Sequence, residues 1–306
     1  MLAACFADPS GLLGFAPNKI SYRPFEPAVK RHFALTKALY ILYAAPWGTI
    51  IKEQRTGARL AGESALITGA GHGIGRQIAT TFAAEGAQVV AFDLDGQALD
   101  RFAAEQGGTV TAVRGDVSSR ADIERAVELA IRVFGKLDIA VCNAGLNRYR
   151  PFLELDDETW QAHLKVDLTG VFLTAQVSAR AMLAGAGGSI IVITSAGAAI
   201  PSRTQSHYCA AKAGARMLAQ AMAYELSTSG IRVNTIEPGW VETRLTADYL
   251  QDPALRSEVE ATIPLHRIGQ PEDVAQVALF LADGSRAVTG AHLLMDGGLT
   301  VGRDKK

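Results

Sequence analysis

Tyr208 and Lys212 stand four residues apart, and Ser195 precedes the tyrosine by thirteen. On a helix the tyrosine and the lysine share a face, one turn apart. A free phenol, with a pKa of about 10, is a poor base at neutral pH. An ammonium about 5 Å away, at an effective dielectric of about 20, favours the phenolate by roughly 3 kcal/mol, or about two pKa units. That moves Tyr208 towards the range in which it can take a proton from an alcohol or return one to a ketone. Each piece alone is ordinary. A YxxxK pair is commonly a core tyrosine beside a surface lysine, and Ser195 before Ala196 and Gly197 reads as a turn residue.

A second group of residues could hold a charged ligand. The apolar run ending at Thr68 leads into Gly69, Ala70, Gly71, His72, Gly73, Ile74 and Gly75. Glycines here let the backbone turn tightly and let a pyrophosphate reach the free N–H groups at the start of the next helix, where the dipole favours negative charge. The next apolar run ends at Asp93, 24 residues after Gly69. That is near the distance at which an acid meets a ribose 2′-hydroxyl. Asp93 would accept from that hydroxyl and repel a 2′-phosphate, and Leu94 offers no compensating cation. NAD is therefore expected over NADP, with the largely neutral His72 as a weak counterweight.

These residues need a frame. From Ser64 onward short apolar runs alternate with amphipathic stretches. The expected strands are 65–68, 88–92, 110–114, 137–141, 189–194, 232–236 and 292–295. Helices are expected over 73–84, 120–134, 158–184, 207–227 and 271–282. In the first of these, Ile74, Ile78 and Phe82 recur at i, i+4 and i+8. Strand and helix alternation with nearly all-apolar strands predicts an α/β fold: a doubly wound parallel sheet, Rossmann-like, covered on both faces. Ligands should bind outside the carboxyl ends of its strands, where Ser195 emerges.

With the frame in place, residues 61–300 resemble the short-chain dehydrogenase/reductase family. The matching motifs are the glycine turn 68–75, Asp116-Val117, Asn143-Ala144-Gly145, the Ser195, Tyr208 and Lys212 set, Ile231 to Asn234, and Pro238-Gly239. The resemblance implies that Tyr208 is the general acid/base, that Lys212 tunes it and holds the nicotinamide ribose, and that Ser195 hydrogen-bonds the developing alkoxide. It implies that Asp116 and Val117 lie by the adenine and that Asn143, Ala144 and Gly145 border the cofactor. Pro238, Gly239, Val241 and Thr243 would border the nicotinamide. It also implies a homo-tetramer or homo-dimer.

One position departs from the family. Where asparagine usually stands in a kinked helix, its backbone carbonyl holding a water near the lysine, this chain has Asp167. A backbone role survives the change, and the new carboxylate is expected to reach Lys212 through water. The substrate is expected to be an alcohol or ketone of a sugar, polyol or small hydroxy compound, given the polar Asn147, Arg148, Arg203, His207 and His266 and the aromatic Trp240.

Composition bounds the rest. The 30 lysines and arginines nearly cancel 31 acids, so no overall field favours nucleic acid or an anionic membrane. No apolar run reaches the roughly 20 residues of a spanning helix. The cysteines Cys5, Cys142 and Cys209 show no CxxC and no partner histidine at zinc spacing, so no metal is expected, and they read as reduced thiols of a cytoplasmic protein. The organisation expected is a single domain over 59–306 with an N-terminal extension, 1–58. That extension is basic, with seven lysines and arginines against three acids. An arm on a neighbouring subunit, a peripheral membrane or targeting segment, and sequence upstream of the true start all remain open for it. Two other functions also remain open: an NADPH-linked 3-oxoacyl reductase, which Asp93 disfavours, and a non-catalytic dinucleotide sensor, which has no need of Tyr208 and Lys212.

Overall fold

A computed structural model describes residues 58–284 and 287–302. All but the last residue of the expected extension, Cys5 included, lies outside the described residues. Seven strands, β1 (Ser64–Thr68), β2 (Gln88–Asp93), β3 (Val110–Arg114), β4 (Ile139–Cys142), β5 (Gly188–Ile193), β6 (Ile231–Pro238) and β7 (His292–Met295), form one sheet. Its order is β3-β2-β1-β4-β5-β6-β7, and every pairing is parallel. This is the doubly wound, Rossmann-like sheet that the alternation implied.

Burial of both sheet faces explains the apolar runs. Ile67, Val89, Val141 and Ile191 face one way and Leu66, Val90, Ala140 and Ile190 the other, as successive residues of a strand must. The first set packs against Ile78 and Phe82 of α1 (Gly73–Ala84), Leu99 and Phe102 of α2 (Gly96–Glu105) and residues near the carboxyl end of the described span. The second packs against Ile123 of α3 (Arg120–Phe134) and helices that follow β4 and β5. Between β4 and β5 the chain forms α4 (Asp157–His163), a π-helical stretch (Leu164–Thr169) and α5 (Gly170–Met182). After β5 comes α6 (Ser206–Leu226), whose Ala215 and Ala219 sit in the same core. Then α7 (Arg244–Leu250) and α8 (Pro253–Thr262) precede α9 (Pro271–Leu279).

Three details differ from the sequence expectations. The helix expected over 158–184 is not one regular helix, because Leu164–Thr169 widens to π geometry within it. The helix expected over 271–282 gives way to π geometry at Phe280. The short helices α2, α7 and α8 had no counterpart among the expected elements. Two of them start on local polar caps that apolar periodicity does not register: Asp95 accepts from Ala98 N–H, and Asp252 accepts from Ala254 and Leu255 N–H.

The site follows from the winding. The chain runs outward from β1 to β3, then returns so that β4 lies on the other side of β1. A crevice opens where the two directions part, above the carboxyl ends of β1 and β4. Gly69 and Asn143 stand at those ends. Among the described residues, no helix is long and apolar enough to cross a membrane.

Candidate active site

The glycine turn is shaped by what touches it. Gly69 has φ of 68°, and a Cβ there would lie 2.8 Å from Asn143 Nδ2 and 2.9 Å from Ala144 Cα. A Cβ on Gly75 would lie 2.2 Å from the Gly69 carbonyl oxygen. Only glycine permits this closeness. Asn143 ties β1 to β4 by donating from Nδ2 to the carbonyls of Thr68 (2.9 Å) and Gly69 (3.3 Å), so its amide is spent on the turn. The turn ends at His72, which does not cap α1 with its side chain, and the helix N-terminus stays free for an anion.

Asp93 braces the same turn. Its Oδ2 accepts from Gly71 N–H and its Oδ1 from Asp95 N–H, both at 2.9 Å. Each oxygen keeps a lone pair for a further donor. Beside it Leu94 is exposed, and Asp116 is held by Ser118, whose N–H and Oγ–H both donate to Asp116 Oδ1. Val117 is buried against Gly170 at the start of α5. Across the crevice, Gly239 donates from its N–H to Met295, Val241 is buried, and Thr243 caps α7 within contact range of Gly73.

The three residues expected to handle the proton meet at the carboxyl edge of β5. Ser195 Oγ accepts from Gly197 N–H at 3.1 Å, and its own hydrogen is directed to Tyr208. Lys212 Nζ donates to the Ile193 carbonyl at 3.3 Å and lies 3.1 Å from Asp167 Oδ1. An ammonium has three hydrogens, so one remains for a ligand. The Nζ is 5.6 Å from the Tyr208 ring centre. A Cβ at Gly145 would lie 2.7 Å from Asp167 Oδ1 and 3.2 Å from Lys212 Nζ, so the loop after β4 presses close on this pair.

Two sequence expectations are corrected here. Asp167 touches Lys212 directly rather than through water, because the π-helical stretch carries a fully buried carboxylate to the lysine. Tyr208 is not lowered overall. Burial pushes its phenol above the ordinary value, Lys212 and a hydrogen bond with Ser195 pull it down, and Asp167 pushes it up again. Burial likewise raises Asp167 against the pull of Lys212. Lys212, which burial would lower, is held above its usual value by Asp167 and Tyr208.

Every residue singled out as cofactor-binding or catalytic, except Gly71 and Gly75, lines one cleft of about 370 Å³. Of the polar residues expected near the substrate, Asn147 lines it as well. Arg203 and His266 are exposed, and Trp240 instead walls a second cavity of about 370 Å³ with Ile263 and Met295. Sequence reasoning missed Arg244, whose Nη1 lies 3.0 Å from His72 Nε2 and 4.0 Å from Asp95 Oδ2 at the cleft mouth. It also missed the contact of His163 with His207, ring centres 4.1 Å apart, behind the loop after β4. No spacing in the sequence brings either pair together.

Comparison with known proteins bears on this cleft. A family model described as enoyl-(acyl carrier protein) reductase matches residues 69–300. L-rhamnose-1-dehydrogenase of Scheffersomyces stipitis is 41% identical over 251 residues, covering 79% of this chain and 97% of that protein. D-threitol dehydrogenase of Mycolicibacterium smegmatis is 36% identical over 247 residues, 79% of this chain and 95% of its own. A 3-oxoacyl-(acyl-carrier-protein) reductase of Thermotoga maritima is 38% identical over 247 residues, 79% of this chain and 100% of its own. A crystal structure of a short-chain type dehydrogenase/reductase from Mycobacterium marinum superposes with a TM-score of 0.76 at 39% identity, over 79% of this chain and 97% of that one.

Proposed function

This chain belongs to the short-chain dehydrogenase/reductase family, oxidoreductases that use a nicotinamide dinucleotide, and we propose that it oxidises a CH–OH carbon of a sugar or polyol with NAD. The observation that carries the reading is the convergence of Ser195, Tyr208 and Lys212 on the cleft that the glycine turn opens. A dinucleotide suits that cleft: the turn has no room for side chains, the start of α1 is uncapped, and Lys212 has a hydrogen to spare. Gly69 and Gly71 to Gly75 would receive the pyrophosphate, Asp93 the adenosine ribose, and Lys212 the nicotinamide ribose. Bound there, the dinucleotide supplies the hydride chemistry.

The chain's own residues manage the proton. Tyr208, as phenolate, takes the proton of the alcohol at its Oη. Ser195 turns its hydroxyl hydrogen from Tyr208 to the substrate oxygen and holds that oxygen as its charge changes. Lys212 stays charged because Asp167 and Tyr208 raise it, and its field favours the phenolate. Since burial holds the phenol high, oxidation should be favoured on the alkaline side.

NAD is favoured by Asp93, whose oxygens already accept two N–H groups and carry the charge that repels a 2′-phosphate. Arg244 and His72 are cations or potential cations at that mouth, but Asp95 lies within 4.0 Å of both. The sugar or polyol class draws on the relatives named for rhamnose and threitol. The relative named as an oxoacyl reductase keeps the NADPH-linked alternative in play, with Asp93 against it. A homo-oligomer is supported by Phe172, Met217 and Tyr224, exposed apolar residues on α5 and α6. The free thiols of Cys142 and Cys209 suit a cytoplasmic compartment, and residues 59–306 are read as one catalytic domain with 1–58 as its extension.

The test is a screen of aldoses, polyols and 3-oxoacyl thioesters with NAD and NADP, following the reduced nicotinamide by absorbance. Turnover of a sugar or polyol with NAD is expected. Turnover confined to the thioesters with NADPH would overturn the reading.

A further inference from the structure

The loop leaving β4 brings Asn147 to the wall of the cleft, and side chains from separate helices fasten it there. Gln205 Nε2 donates to Asn147 Oδ1 at 3.0 Å. The next peptide, that of Arg148, is gripped at both ends. Its N–H donates to His163 Nε2 at 3.2 Å, and its carbonyl accepts from His207 Nε2 at 2.7 Å. The two rings meet edge to face and are fully buried. His163 donates from Nδ1 to the Thr159 carbonyl at 2.8 Å, which leaves Nε2 as the lone-pair acceptor the loop requires. On either side, Leu146 N–H donates to Asp167 Oδ1 and Arg150 N–H to the Thr204 carbonyl.

A surface connection has no need of so many anchors, whereas a ligand contact gains from being held in place before binding. Gln205 occupies one lone pair of Asn147 Oδ1 and so fixes the amide, and the donor that Asn147 offers a ligand is its amide nitrogen. Of its two hydrogens at most one serves the neighbouring Tyr149 phenol, so at least one remains for a ligand. An uncharged donor lining the same cleft as Ser195 and Tyr208 suits a neutral oxygen acceptor.

We propose that Asn147 is a specificity-determining residue that donates to a hydroxyl oxygen on the carbon next to the reacting one, so that the substrate is a vicinal diol, and that His163 and His207 are the residues positioning it. This rests on the dehydrogenase reading of the same cleft. A substrate without the neighbouring hydroxyl leaves a desolvated donor unpaired, a larger penalty than lost contact alone.

The experiment compares trans-1,2-cyclohexanediol with cyclohexanol as substrates of the full chain with NAD. The wild type should favour the diol by about 30-fold or more in kcat/KM. Asn147→Ala should reduce that ratio to about 3 or less, chiefly by raising KM for the diol, while NADH affinity measured by fluorescence stays within about twofold. His207→Ala should do the same, and His207→Gln, which keeps a donor near the Nε2 position, should restore the ratio. If His207→Ala does not fold, His163→Gln against His207→Gln, both retaining a hydrogen-bonding end, should each keep the preference. A wild type indifferent to the second hydroxyl, or an Asn147→Ala variant that loses both alcohols equally, overturns the proposal. Failure of the dehydrogenase reading looks different: the wild type would oxidise neither alcohol nor any sugar or polyol, and this proposal would fall with it.

Discussion

The Asp167 carboxylate and the Lys212 ammonium form a direct ion pair, 3.1 Å apart, with both side chains withdrawn from solvent. The lysine proposed to tune Tyr208 therefore has a permanent competitor for its field. Asp167 raises both Tyr208 and Lys212. Removing its charge at constant shape should lower both. In the proposed reaction oxidation needs the phenolate and a charged lysine, so in Asp167→Asn the acidic and alkaline limbs of kcat/KM should both move to lower pH. Profiles of the two proteins that coincide would show that the carboxylate exerts no field on the phenol. Asp167→Ala is a harsher change: it leaves the buried ammonium without a counter-charge and should cost about 3 kcal/mol of stability, read from denaturant unfolding.

Asp93 has two duties, and they separate by measurement. Its charge is proposed to disfavour a 2′-phosphate, and its oxygens hold Gly71 and Asp95. The wild type should prefer NAD by at least about tenfold in kcat/KM, about 1.4 kcal/mol. Asp93→Ala should narrow that preference and also weaken NAD, because the brace on the glycine turn is lost. A wild type that prefers NADP would refute the cofactor assignment.

How far the sequence reaches is clear from particular residues. Ile74, Ile78 and Phe82 define α1 to its ends, since their spacing records the face that the core demands. The apolar strands are legible for the same reason. The π-helical stretch is not, because a side-chain pattern does not record which carbonyl each N–H will choose, and so the direct contact of Asp167 with Lys212 was hidden. Lys212 could be counted as a charge near Tyr208, but the burial that outweighs it depends on packing around both. Arg244 reaches His72 across 172 positions through the course of α7, which no local spacing encodes.

Tyr208→Phe removes one oxygen from a ring that Lys212 and Gly197 also neighbour. Turnover should fall by about 10³-fold or more, while NADH binding stays nearly intact. Lys212→Ala should damage both, and should destabilise the fold because Asp167 is left buried and unpaired. A Tyr208→Phe enzyme that keeps more than about a tenth of wild-type activity would place the acid/base elsewhere.

His163 offers a prediction that needs no substrate. Burial pushes its imidazole down from the usual value near 6.5 to about 4, with His207, Arg148 and Lys212 acting in the same direction and the Thr159 carbonyl against it. The neutral ring is required in the fold, since Nδ1 donates to Thr159 and Nε2 accepts from Arg148 N–H. In the unfolded chain the ring takes up a proton near its ordinary pKa. Between the two values the unfolded state binds more protons, so this residue's contribution is fully present above about pH 6.5 and is lost as pH falls towards about 4. Carboxylates titrate in the same range, so the variant supplies the reference. His163→Gln keeps an acceptor for Arg148 N–H but has no proton to gain. The stability gap between wild type and His163→Gln should therefore shift steadily against the wild type as the pH is lowered through that window. Unfolding curves at several pH values decide it. A gap that does not change with pH would mean that the ring titrates alike in both states, and that the grip on Arg148 does not depend on a neutral histidine.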